Sequence, residues 1–247
     1  MLKKIAFSAM AVVLVWALGG SPLDARTCAG PEYSKERHRS FATGAPIFQV
    51  AAHTVGILKL AVANNGTFGV NGTTYRPDTP VEDCFTGELI PFSCEYPKGN
   101  DVDYAYSGAF WIGAVVGRDT LVSCGMDGWH WGHRELFPDE EPFGRMQRRS
   151  IIDPESPEFV GAISEQDFIS VYTDTFTEGL ENDYFGRPHV PLPIEVNCTT
   201  YAWSYPYAED IILFAYTIKN LGTQPLQDVY LGVYVAVSYT HLTLPTN

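Results

Sequence analysis

DIILFAYTIKN (residues 210–220), LGTQP (221–225) and LQDVYLGVYV (226–235) follow one another without interruption near the end of the chain. The outer two runs are rich in Ile, Val, Tyr and Phe and carry no sustained 3.6-residue period, so they read as strands. Gly222 and Pro225 punctuate the middle run, which reads as the turn that reverses the chain. A strand, a five-residue turn and a returning strand make an all-β fold the simplest frame for what precedes them.

The preceding sequence has the same texture. Ile57 to Val62 alternates briefly, then Asn64-Asn65-Gly66, Thr67 to Val70 and Asn71-Gly72 follow. Asn-Gly between β-prone runs signals a hairpin, because both residues tolerate positive φ. Further strand-like runs are Ala109 to Gly117 and Thr120 to Ser123, then Phe168 to Tyr172 and Ile194 to Ala202. No long helix is expected; Glu135 to Arg149 comes nearest and is broken by Pro138 and Pro142. Seventeen prolines and 22 glycines suit frequent turns. The expected fold is an antiparallel β-sandwich over residues 56–236. Residues 137–162 read as a long irregular connection, with Asp139-Glu140-Glu141 pairing locally with the basic residues between Arg145 and Arg149.

Both ends of the chain read differently. Lys3 and Lys4 precede an apolar run from Ile5 to Leu18, broken by Gly19-Gly20-Ser21-Pro22. That is the layout of a secretory signal peptide, placed at 1–25; a membrane span needs about 20 apolar residues. Residues 26–55 mix Pro, Gly and charge and read as an exposed leader. At the other end, Val237 to Thr246 reads VSYTHLTLPT and resembles a translated sequencing adapter. Residues 237–247 are therefore set aside, and the sandwich is expected to be incomplete at its C-terminus. The chain is expected to be secreted or cell-surface, with no transmembrane helix once the leader peptide is removed.

Sixteen Lys and Arg against 29 Asp and Glu give a net charge of −13. That balance excludes nucleic acid as a partner, since phosphate contacts need a basic surface. Five cysteines (28, 84, 94, 124 and 198) in an exported chain suggest disulfides, and two bridges among them allow many arrangements. Cys84 and Cys94 bracket the loop FTGELIPFS and are the expected pair.

Four groups of residues are candidates for chemistry. Asn100-Asp101-Val102-Asp103 sets oxygen ligands on alternate residues, and Asp101 and Asp103 are the first choice for a calcium ion, though the full EF-hand loop is missing. His130 and His133 offer two imidazoles near Asp127 and Cys124, without a third ligand at a fixed spacing. Glu165 with Asp167, and Glu209 with Asp210, are the carboxylate pairs that glycoside hydrolysis would need. Tyr201, Trp203, Tyr205 and Tyr207 alternate in YAWSYPY, which on an extended strand puts four rings on one face. Such a strip can stack on sugar rings, but burial between sheets is the commoner use of aromatics and is the expected one here. No nucleophile elbow, P-loop, dinucleotide fingerprint or H-E-x-x-H is present.

Three blocks carry a family resemblance: Ser93 to Trp129, Ile163 to Thr175 and Ile194 to Val235. They resemble large, uncharacterised secreted β-rich proteins of environmental bacteria, many ending in a sorting domain for type IX secretion. The resemblance implies a secreted β-rich protein and brings no catalytic residues with it. The function expected is a non-catalytic exported β-sandwich segment of a longer cell-surface or secreted protein, in adhesion or glycan contact. An extracellular glycan or a surface protein would be its partner. The alternative is an accessory or truncated domain of a carbohydrate-active hydrolase.

Overall fold

The computed structural model describes residues 26–27, 47–69, 81–126, 135–140, 142–177, 180, 182 and 185–237. His130, His133, Asn71-Gly72, residues 1–25 and residues 238–247 lie outside them. Among the described residues, fifteen strands run in chain order. They are β1 (Arg26–Thr27), β2 (Val50–His53), β3 (Lys59–Ala63), β4 (Thr67–Phe68), β5 (Val81–Glu82), β6 (Leu89–Ile90), β7 (Cys94–Glu95) and β8 (Ala105–Val116). The others are β9 (Asp119–Cys124), β10 (Phe137–Pro138), β11 (Gln147–Arg149), β12 (Gln166–Thr173), β13 (Ile194–Ala202), β14 (Ile212–Asn220) and β15 (Leu226–Val237). The one helical turn among the described residues is a 3-10 turn at Pro157–Phe159.

Two antiparallel sheets result. The first runs β1-β11-β12-β13-β14, with β10 also on β12; the second runs β15-β8-β4-β3-β2, with β7 on β3 and β9 on β8. Their inner faces meet through alternating residues, as sheet-on-sheet packing requires. Phe110, Ile112 and Ala114 of β8 meet Val196 and Cys198 of β13, Tyr172 of β12 and Tyr216 of β14. The Phe110 and Tyr216 rings stack at 4.6 Å. Toward the other end, Ala51, Leu60 and Val62 meet Met146, Phe168, Ala202 and Ile212. A third small layer, β5 paired with β6, lays Val81 and Ile90 on the outer face of β2 and β3. The fold is the all-β antiparallel sandwich that the residue texture implies. No helix of the described residues is long and apolar enough to cross a membrane.

Several expectations need correcting. Residues 47–53 are not part of a leader: β2 is buried along its whole length, and its backbone pairs with β3 from Val50↔Ala63 to His53↔Leu60. β1 likewise pairs with β11. Gln49 and His53 disguise β2 in the sequence, because both are polar and both are buried. The strand ending at Val237 runs one residue into the stretch set aside, pairing Val237 with Ala105. The connection at 137–162 is not irregular throughout: it contains β10, β11 and the 3-10 turn, where Arg148 forms a two-pronged pair with Glu158 (3.0 and 3.1 Å). Cys94 is a free thiol, so the Cys84–Cys94 bridge does not form. The loop is closed instead by the β5–β6 pairing and by Asp83, whose carboxylate accepts from the backbone N–H groups of Phe85, Thr86 and Ala52. Burial, with Asp103 and Glu95 beside it, pushes the Cys94 thiol up to about 11.

The turn at Asn64–Gly66 forms as expected. Gly66 has φ +80°, and a Cβ there would sit 2.8 Å from the Tyr172 ring, so both conformation and space demand glycine. Asn64 fastens the turn inward: its side chain donates to the carbonyls of Ile47 and Gly144 and accepts from Gln49 N–H, all at 2.8 Å.

His53 gives the first test. Its ring is fully buried against Phe168 (4.4 Å), with Nε2 2.7 Å from Thr200 Oγ1, and burial pushes its pKa down to about 3. The unfolded chain therefore takes up a proton first as pH falls below the ordinary 6.5. Stability from this site is full above 6.5 and is lost progressively toward pH 3, by roughly 4–5 kcal/mol in total at ~1.4 kcal/mol per unit. Urea midpoints between pH 7 and 4 should fall more steeply for the native chain than for His53→Gln; parallel curves would refute this.

Candidate functional site

The aromatic residues after β13 form the strongest candidate, though not in the predicted form. β13 ends at Ala202, whose side chain enters the core, leaving Tyr201 on the outer face of the first sheet. Beyond it the chain turns. Ala208 and Glu209 N–H both donate to the Tyr205 carbonyl at 2.8 Å, and Pro206 sits inside this turn. YAWSYPY is thus a strand end followed by a turn, and the rings fall into two stacked pairs. Tyr201 and Trp203 lie 6.2 Å apart with planes at 24°; Tyr205 and Tyr207 lie 5.6 Å apart at 19°.

None of the four rings is core. Tyr201 and Trp203 are half-buried, while Tyr205 is 38% and Tyr207 80% exposed. The expected burial between the sheets is therefore wrong. Alternation along β13 assigns the inner face to Ile194, Val196, Cys198 and Ala202, so Tyr201 must look outward. Burial raises the Tyr201 pKa, with the Asp167 carboxylate adding to the effect.

Polar groups hold this ledge in place. Glu165 accepts from both N–H and Oγ of Ser204, between the two ring pairs. The Glu209 carbonyl accepts from Ile57 N–H (2.7 Å) and Leu58 N–H (3.3 Å), tying the turn to the β2–β3 connection. Gly56 lies under that contact; a Cβ there would come within 2.2 Å of the Glu209 oxygen. The backbone beneath the rings is thus fixed from two sides.

The first of the carboxylate pairs named for hydrolysis, Glu165 with Asp167, takes a structural role. Asp167 is buried and accepts from Ile163 N–H and Ser164 N–H (2.8 Å each) and from Ser164 Oγ, while Glu165 holds Ser204. Burial raises the Asp167 pKa against those donors. Asp103 is likewise spent as a clamp, accepting from Ser93 N–H, Ser93 Oγ and Cys94 N–H, whereas Asp101 is exposed with φ +58°. No group of three or more potential metal ligands occurs among the described residues.

A second polar cluster had no signal in the sequence. Asp174, fully buried just past β12, accepts from Ser123 Oγ (2.7 Å), Leu192 N–H (2.6 Å) and Ile194 N–H (2.8 Å), bridging the two sheets. Its carbonyl faces His189 Nε2 at 2.8 Å, and His189 Nδ1 lies 3.2 Å from Glu135. Burial opposes the imidazolium, yet Glu135 and the Asp174 carbonyl raise the His189 pKa overall. A lone Asp after a strand and a His in a Pro-rich loop carry no spacing that betrays such a meeting.

No family model, curated protein or solved structure matches the chain.

The exposure of the ledge makes a direct prediction. Tyr207→Ala should change the unfolding free energy measured in urea by no more than about 0.5 kcal/mol, the usual range for an exposed site. Phe168→Ala, in the core, should cost about 3–5 kcal/mol. Equal losses in the two variants would mean that the ledge is core after all.

Proposed function

We propose that this chain is a non-catalytic, exported β-sandwich segment of a longer cell-surface or secreted protein, and that its aromatic ledge contacts extracellular glycan. The observation that carries the reading is the pair of stacked ring sets at one end of the sandwich, with Tyr205 and Tyr207 open to solvent. A pyranose presents a face of C–H bonds, which matches the electron-rich face of an aromatic ring. Successive stacked pairs suit successive sugars along a polymer better than one enclosed small molecule. Ser204 and Glu165, hydrogen-bonded to each other between the pairs, supply polar atoms for hydroxyl groups. The signal-peptide-like N-terminus and the resemblance to secreted β-rich proteins support export. Asp167 and Glu165 act as backbone clamps, which favours contact over cleavage by this pair.

Retention on a panel of insoluble polysaccharides (cellulose, chitin and xylan) tests the reading. At least one should retain the native chain, and Tyr207→Ala should weaken retention roughly three- to tenfold, as expected for one ring contact. A native chain retained by none of them, or a Tyr207→Ala chain retained equally, would overturn it.

A further inference from the structure

Both ring nitrogens of His189 face oxygen atoms that act as acceptors. Nε2 lies 2.8 Å from the Asp174 carbonyl, and Nδ1 lies 3.2 Å from Glu135 Oε1, as an ion pair rather than an aligned hydrogen bond. A neutral imidazole has one N–H and one lone pair, so it satisfies one of these oxygens and turns a lone pair on the other. Only the doubly protonated ring suits both: it donates at Nε2 and sets its charge against the carboxylate at Nδ1. The His189 side chain is 1% exposed, so water does not replace a contact that is lost.

The two oxygens belong to different sheets. Glu135 is fastened to the end of β9: its N–H donates to the Cys124 carbonyl and its Oε2 accepts from Cys124 N–H, both at 2.9 Å. Asp174 directly follows β12. One loop residue therefore ties its own segment to both layers at once. This is the end of the sandwich where Thr173 pairs with Glu195; the ledge lies at the other end, beyond the Gln166–Ala202 pair. The segment itself is displayed to solvent, with Phe185 74% and Val190 53% exposed.

We propose that His189 is a charge-operated latch: as the imidazolium it clips residues 185–191 to both sheets, and when it loses its proton in a more alkaline medium that segment lifts away while the sandwich stays folded. The rest of the cluster confines the opening. The Asp174 carboxylate accepts from Leu192 N–H, Ile194 N–H and Ser123 Oγ, and none of these bonds needs a charge on His189. Leu192 is fully buried in the main core, so the chain is pinned from Leu192 onward in both states and the stretch before it is what opens. Among the described residues, the charged groups that act on the ring are Glu135 and Asp174, both carboxylates and both favouring the proton. On the segment itself, Arg187 lies over the Phe185 ring at 5.0 Å. Burial opposes the charge, but the carboxylates and the Asp174 carbonyl hold the ring above the ordinary 6.5. The closed form is thus fully favoured below 6.5 and is lost as pH rises through the raised value. The latch does not depend on glycan contact at the ledge.

NMR titration of the histidine rings from about pH 5.5 to about pH 9, with amide exchange of residues 185–190 corrected for its intrinsic pH dependence, tests the latch. The His189 ring should titrate above 6.5. Exchange of the Arg187, His189 and Val190 amides should accelerate with the same midpoint, by about tenfold for each unit that the clip lifts it, while β8 and β13 amides stay protected. His189→Gln should abolish the step, and Glu135→Gln, which keeps the shape and removes the charge, should return the ring toward its ordinary value. A ring that titrates at or below 6.5, or that ignores Glu135→Gln, would overturn the proposal. So would segment amides that do not follow the His189 midpoint, a step that survives His189→Gln, or core strands that open together with the segment. Titration and exchange of the native chain decide the question by themselves should either variant not fold.

Discussion

The dry layer between β8 and the β12–β13–β14 face is the constraint on which the rest of the molecule depends. Large side chains fill it from both sides: Phe110 and Ile112 from one sheet, Tyr172, Val196 and Tyr216 from the other, all nearly inaccessible to water. A buried aromatic or aliphatic side chain is worth about 1.5–3 kcal/mol, against a net stability of only about 5–15 kcal/mol for a domain, so losing a few of these contacts would unfold it. Strand register follows from the same layer. Shifting β13 by one residue would send Ile194, Val196 and Cys198 to the solvent face and bring Glu195 and Asn197 inward, a large penalty for a single slip.

Polar groups then decide how loops meet the sheets. Asp174, Asp83, Asp167 and Asn64 are each buried, and each is met by backbone or hydroxyl partners, as burial of a polar group demands. Three of the four are carboxylates accepting N–H groups from loops. These clamps fasten the described loops next to them against the sandwich. They also explain why Glu165 and Asp167, which look like a catalytic pair on paper, are committed to architecture.

Much of the fold was legible in the sequence because alternation in β8, β12, β13, β14 and β15 is a direct consequence of one buried face. β13 was read to the residue. β2 was missed because it is covered on both sides, by the core on one and by the β5–β6 layer on the other, so alternation vanishes and polar residues are tolerated through specific partners such as Thr200. The disulfide expectation failed because bracketing a loop in sequence says nothing about which elements close it. At the candidate site the aromatic residues were identified but not their shape. Pro206 and the Glu165–Ser204 contact convert an extended strip into two stacked pairs, and the partner of Ser204 lies 39 residues away.

The ledge and the sandwich are thus one argument: rings excluded from a filled core must be displayed, and fixed backbone beneath them makes the display rigid. The central claim is that both sheets form a single cooperative body through the β8 layer. Native-state amide hydrogen exchange measured strand by strand tests it most directly. The account predicts that the slowest amides lie in β8, β12 and β13 and share one opening free energy, because no strand of that layer can leave without unfolding the whole. Distinct opening free energies for β8 on one side and β12 with β13 on the other would contradict it, since the two sheets would then be separable units.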